Sequence, residues 1–418
     1  MPLTVTERLR VIRIRLRERL WVRPLVVALL SVAAAFVSTL ADGTGLREWV
    51  PETSAESVEQ LLAIMAASML VIATFAVASM VSAYASAGSV ATARAFPLIV
   101  RDDSSQNALS TFVGAFIFSI VSLTAVLNDY FGPAGLFCLF GLTLIIFASV
   151  IVTFVRWVDR IARLGRLGTI IDRVEQATAQ ALGARKQAPR LGGVTPEAPT
   201  GHRAAVYADR VGYVQHVDVP ALQEWATRTD SRVEVAALPG AFVAPGRPLA
   251  WVIGTVDDSV RGAFGIGDDR TFEDDPRFGV VVLSEIAGRA LSPAVNDPGT
   301  AIDIIGTYVR LFVAWHTPAD SSDDEARAGS CDRVMMPLLA PGDLCDDAFT
   351  AIARDGAGTI EVAVRLQKAL QALSLIGGPE WRRAVVRHSR SALARAEKAM
   401  TAPEDLAAVR SAAEWSTS

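Results

Sequence analysis

No charged residue interrupts positions 60–93, and an uncharged stretch of that length does not fit the core of an ordinary soluble domain. As a helix it extends about 51 Å at about 1.5 Å per residue, against roughly 30 Å for the hydrocarbon of a bilayer. It must therefore tilt or project beyond the membrane. Three further segments, 24–41, 108–127 and 133–155, meet the length and apolarity of a membrane span. Composition agrees, since 51% of the residues are apolar and only 20% are charged, a balance shifted toward lipid relative to soluble chains.

The flanks set an orientation. Arg8, Arg10, Arg13, Arg15, Arg17, Arg19 and Arg23 precede the first segment, whereas Asp42, Glu48, Glu52, Glu56 and Glu59 outnumber Arg47 after it. Arg94 and Arg101 follow the second segment, and Arg156, Arg160, Arg163 and Arg166 follow the fourth. Basic residues stay on the cytoplasmic side, so the expectation is a multi-pass protein of the bacterial inner membrane with four spans and both termini in the cytoplasm. A cleaved signal peptide is the competing reading of the first segment; removing it would place the basic flank of the fourth on the wrong side. Leu9, Ile12, Leu16 and Leu20 fall on one helical face within 1–23, which reads as a basic amphipathic helix on the inner leaflet.

Within the second segment Ser79, Ser82, Ser86 and Ser89 recur at intervals of three, four and three, and so share one side of its cytoplasmic half. Such a face serves a close helix–helix seam, where small residues let backbones approach, or a pore lining, where hydroxyls solvate ions and water. None of the four segments contains an acidic, basic or histidine residue. Proton-coupled carriers usually need one, so passive conduction is easier to defend than pumping.

After the membrane domain at 24–157, apolar residues at Val158, Ile161, Leu164, Leu167, Ile171 and Val174 predict one helix running into the cytosol without a break over 158–185. A Gly/Pro-rich linker occupies 186–203. The section 204–266 is β-rich, with "AVYA", "GYVQHVDV", "RVEVAAL" and "PLAWVIG" as strands and "PALQEWATRT" as an inserted helix. Residues 267–418 read as helical, with helices at 278–291, 300–315, 348–354, 359–375 and 380–400 and a polar loop "ADSSDDEARAGS" among them. The expected fold is an α-helical polytopic membrane domain of four spans, then an α+β cytoplasmic domain with a small β-barrel or sandwich section and a helical section.

The stretch "ALSPAVNDPGTA" separates two of those helices. Ser292-Pro293 stops the first, and Asp297 caps the second with Pro298 at its first helical position. Arg289 lies just before this corner, which presents Ser292, Asn296, Asp297 and Thr300; upstream stands a charged turn with Asp268, Asp269, Arg270, Asp274 and Asp275. Capping explains the prolines and Asp297. The remaining polar surplus makes these ten residues candidates for contact with an ion or small ligand.

"DRTFEDDPRFGVVVLSEIAGRALSPAVNDPGTA" resembles the signature of the uncharacterised family of bacterial predicted membrane proteins termed domain of unknown function 2254. "RDDSSQNALSTFVGAFIFS" resembles that family's segment around its third span. The resemblance covers nearly the whole chain. It implies a topology and a soluble domain, and brings no activity with it.

Three function classes follow. A homo-oligomeric ion channel or passive transport protein gated by its cytoplasmic domain suits the hydroxyl face and the helix continuing from the fourth span. The alternative is a non-conducting membrane sensor or scaffold whose cytoplasmic domain binds a ligand or partner. A membrane-surface hydrolase is the weakest, because the four histidines are scattered, the three cysteines lack metal spacing, and neither a nucleophile–base pair nor a phosphate-cradling glycine loop is visible. The chain is therefore read as a non-enzyme, with no catalytic residue, metal or cofactor assigned. A net charge of −4 gives no footprint for nucleic acid, and the expected partners are the bilayer, further copies of the chain, and an ion or small ligand.

Overall fold

The computed structural model describes residues 22–39, 51, 53–90, 92–100, 103–164, 166–197, 202–318 and 331–416. The amphipathic helix expected at 1–23 and the polar loop at 319–330 lie outside the described residues, apart from the last two positions of the former. The chain divides into two units, one reaching Ile170 and one beginning at Ile171.

The first unit consists of helices α1 (Val22–Val37), α2 (Ala55–Val90), the short α3 (Phe96–Val100), α4 (Asp103–Leu127) and α5 (Pro133–Leu164). Among the described residues three helical stretches are long and apolar enough to cross a membrane: Ala55–Gly88, Ser105–Leu127 and Pro133–Ala162. Helix α1 has 16 residues, about 24 Å, and falls short of the span expected at 24–41. α4 is central and packs against α1, α2 and α5. Close approach explains its place: a Cβ on Gly114 would overlap Val27 of α1 and lie 3.3 Å from the Ser31 hydroxyl. Ser110 and Ser119 of α4 are buried, and each donates its hydroxyl to the carbonyl one turn back, Gln106 and Ala115, at 2.7 Å. That bond removes the cost of turning a hydroxyl inward. Large apolar side chains on α2 and α5 point the other way, with Val71 67% and Ile145 68% exposed.

Where the apolar spacing predicts one uninterrupted helix, two occur. α5 ends at Leu164, and α6 (Leu167–Gln187) starts afresh. Arg166 between them is not helical.

In the second unit, β1 (Gly193–Val194), β2 (Ala204–Tyr207), β3 (Gly212–Val217), α7 (Val219–Arg228), β4 (Arg232–Val235), β5 (Phe242–Val243), β6 (Pro248–Ile253) and β7 (Phe264–Gly267) follow α6. β2 to β7 and α7 lie in the stretch expected to be β-rich with an inserted helix, whereas β1 falls in the stretch 186–203 expected to be a linker. The section expected to be wholly helical contributes one more strand, β8 (Cys331–Met335), which pairs in parallel with both β4 and β1. The resulting sheets have the orders β1-β8-β4-β6-β2 and β5-β3-β7. Both share one apolar core, in which Val214, Val217 and Phe264 from the smaller sheet meet Val233, Val252 and Val334 from the larger, with Leu222 and Trp225 of α7.

The helical part comprises α8 (Pro276–Ala290), α9 (Pro298–His316), α10 (Pro341–Asp355), α11 (Ile360–Ser374), α12 (Pro379–Ala399) and α13 (Pro403–Ala413). α8 is buried over most of its surface, from Phe278, Gly279 and Val280 to Ile286 and Ala287, and leaves one stripe through Arg277, Val281, Glu285 and Arg289 more open. Tyr308, Phe312, Phe349 and Trp381 pack edge-to-face or stacked around one another, and the buried Tyr308 hydroxyl donates to the Val280 carbonyl at 2.9 Å.

Candidate functional site

The polar residues singled out in the sequence lie at the two ends of α8. With 15 residues the helix is about 22 Å long, so the upstream turn and the downstream corner do not form one site. Asp275 caps the N-terminus, accepting from the amides of Arg277 at 3.1 Å and Phe278 at 3.2 Å. At the C-terminal end Ser292 donates its hydroxyl to the Arg289 carbonyl at 2.7 Å, and Arg289 is exposed. Asn296 has φ of 49°, the left-handed region in which asparagine is among the few tolerated side chains. Its amide donates to Ser292 and that of Asp297 to Ala290, at 2.8 and 2.7 Å.

Asp297 caps α9, accepting from the Thr300 amide at 3.1 Å and its hydroxyl at 2.6 Å. The corner is thus accounted for by chain reversal. Hydrogen bonds from Thr300 hold the Asp297 carboxyl below its ordinary value of 3.8. Asp297→Ala is expected to lower stability by about 1 kcal/mol at neutral pH, as read from denaturant midpoints. Because the folded pKa is depressed, that contribution is complete above 3.8 and disappears as pH falls through the folded value; an equal loss at acid pH would show that the cap is not its source.

The N-terminal end of α8 is different in kind. Arg270 donates through Nε to the buried Asp275 at 2.7 Å, and Arg277 forks onto Asp347 of α10 at 2.6 and 3.1 Å while also pairing with Asp343. Burial opposes the Arg277 cation, but bonding to Asp347 and the charges of Asp347, Asp343 and Asp275 outweigh it and raise its pKa. Burial raises the Asp347 carboxyl despite Arg277 and Arg270. Arg185 of α6 donates through Nη2 to the Asp274 carbonyl at 3.3 Å, and the Asp274 carboxylate lies 2.5 Å from His216 Nδ1. Asp268 and Asp269 are exposed.

A cavity of about 190 Å³ opens here, with Arg185, Arg270, Arg277, Gly240, Ala340 and Asp343 in its wall. Gly240 has φ of +91°, and a Cβ there would run into the Asp275 carboxylate. Of the ten candidates, Arg270, Asp274 and Asp275 belong to this cluster. Arg185, Arg277, Asp343 and Asp347 were not identified from the sequence, because chain distance separates them; the only signal was the position of Arg277 inside the "DDPRFG" motif. Among the described residues, no three His, Cys, Asp or Glu side chains converge for a metal.

In α2 the buried line runs through Val58, Leu62, Met65, Met69, Ala76, Met80 and Ala87. Ser79 is half-buried beside it, while Ser82 and Ser86 are exposed. The side chain of Ser89 lies outside the described residues. Within a single chain Ser82 and Ser86 therefore stand off the buried line of α2.

The chain matches the family of predicted membrane proteins with domain of unknown function 2254 over residues 17–372. It is similar to the uncharacterized proteins MT1328 and Rv1290c of Mycobacterium tuberculosis and Mb1321c of Mycobacterium bovis, each 25% identical over 308 residues. The alignments cover 69% of this chain and 59% of each relative, so the match spans less than two thirds of the relatives' length. No solved structure matches. The extent of the family match, 17–372, takes in both the apolar helices and the charged end of α8, and the chain belongs to this family of predicted membrane proteins.

Proposed function

We propose that the protein is a homo-oligomeric passive conduction path, an ion channel or uncoupled transporter of the inner membrane, gated by its C-terminal unit in the cytoplasm. The observation carrying this reading is the exposure of Ser82 and Ser86 on the side of α2 that its own bundle leaves open. A hydroxyl face turned to hydrocarbon gains nothing, whereas assembly places it against another copy or around a water-filled path. α1 serves as the fourth span, short in its regular part, because an even number of crossings keeps the arginines of 8–23 and of 156–166 on one side. Movement of the C-terminal unit reaches the membrane through the short link between α5 and α6.

Ser82→Leu and Ser86→Leu are expected to lower ion flux in proteoliposomes at unchanged expression and oligomer size. Folded wild-type protein that stays silent across ions, pH and voltage would overturn the conduction reading. The second reading, a non-conducting sensor, is favoured by the arginine-walled cavity, which offers the C-terminal unit a place for a ligand.

A further inference from the structure

The wall of the cavity at the head of α8 includes a buried guanidinium with one nitrogen that the fold leaves unused. Arg185 is 4% exposed. Its Nη1 is buried without a hydrogen-bond partner, and its Nη2 reaches only the Asp274 carbonyl. Burial lowers its pKa, with Asp274 and Asp275 opposing. Arg277 spends all its side-chain nitrogens on Asp343 and Asp347, and Arg270 is held by Asp275 through Nε alone, so the donors left for a ligand are Arg185 Nη1 and the Nη groups of Arg270. A second feature faces the same space. α10 begins with Ala340 at its N-cap and no capping side chain, and Ala340 lines the cavity, so the positive end of the helix faces it, with the first-turn Asp343 carboxylate of the same wall drawn onto Arg277.

We propose that this cavity binds a small phosphorylated anion, whose phosphoryl oxygens accept from Arg185 Nη1 and lie near the first turn of α10. Arg270 and Arg277 supply potential while their carboxylates keep them in place. A tetrahedral, multiply charged group suits donors converging from several elements, while a planar carboxylate needs one fork only. The volume of about 190 Å³ admits a phosphate with a small organic body and is below the range of drug-sized pockets.

Thermal unfolding of the full chain in phosphatidylcholine nanodiscs, titrated with inorganic phosphate against sodium chloride at matched ionic strength, tests the site without reference to conduction. A saturable rise in Tm is expected, and Arg185→Met should weaken the apparent phosphate affinity at least tenfold. Without phosphate the R185M protein should melt close to wild type, since the burial cost of the removed charge is partly balanced by the attraction of Asp274 and Asp275 that goes with it; saturating phosphate should open a clear difference in favour of wild type. A parallel arm with short-chain phosphatidic acid distinguishes sources: a response to it alone assigns the phosphoryl group to a lipid. Equal responses to phosphate and chloride, with none to phosphatidic acid, overturn the proposal, as does a shift that R185M retains in full. If R185M does not fold, R185K keeps the charge without the fork, and an unchanged affinity in R185K is equally fatal.

Discussion

Gly279→Ala is expected to destabilise the C-terminal unit by about 2 to 3 kcal/mol, at the upper end of typical overpacking costs. Gly279 of α8 meets Thr178 of α6 so closely that a Cβ would overlap the threonine hydroxyl and lie 2.9 Å from its Cβ. That hydroxyl is tied to the Val174 carbonyl at 2.6 Å and is buried. Retreat is resisted because α8 also packs against α9 and α10. Denaturant titration of the full chain in detergent, followed by circular dichroism, gives the midpoint, and hydrogen exchange at α6 and α8 amides shows where protection is lost. Thr178→Ala in the same background should recover part of the loss, since it removes the overlapping hydroxyl and leaves the tight Cβ contact. A wild-type midpoint for Gly279→Ala would show that the two helices are not held at this distance.

Arg277→Met is expected to cost about 3 kcal/mol near neutral pH, the lower end of what losing one partner of a buried ion pair costs. Asp347 is only 16% exposed in its side chain, so without the Arg277 fork its charge is left in a poorly solvated place. Asp343, at 49%, keeps its water and matters less. The pH dependence has a definite sign. Asp347 already sits above its ordinary value of 3.8 in the fold, so the folded state takes up its proton first, and its contribution to stability falls as pH rises from 3.8 through the folded value. Removing Arg277 raises that folded value further and widens the window. The deficit of R277M relative to wild type should therefore be smallest in acid and complete at neutral pH, and Asp347→Asn should relieve it. A deficit independent of pH, or one that the asparagine leaves untouched, would mean that packing of the arginine stem is the larger effect.

Local chemistry was legible wherever neighbours in sequence settle the outcome. Asp297 and Pro298 announce the start of α9, and Ser292-Pro293 marks the end of α8 to within two residues. Asn296, unexplained by capping, has its reason in a backbone angle that spacing does not reveal. Two features depend on long-range closure and were not legible. β8 carries no alternating apolar pattern of its own and becomes a strand because β4 and β1 accept it from either side. The charged cluster draws Arg185 from α6, Arg277 from α8 and Asp347 from α10, and no local pattern marks them as neighbours. The break after Leu164 was obscured for the opposite reason, since apolar periodicity runs straight across the end of α5 and the start of α6.

The place of β8 in its sheet also bears on how the protein is made. β4 lies between β6 and β8, yet β8 follows it by about 100 residues, a separation that slows closure because the connecting chain must first be ordered. At the ribosome β4 emerges with one edge open, and that edge stays available to foreign strands until α8, α9 and the residues up to β8 have been synthesised. The β-rich and helical sections of the C-terminal unit are therefore not separable modules. A chain terminated between them would present an unfinished sheet, and its expected fate is aggregation.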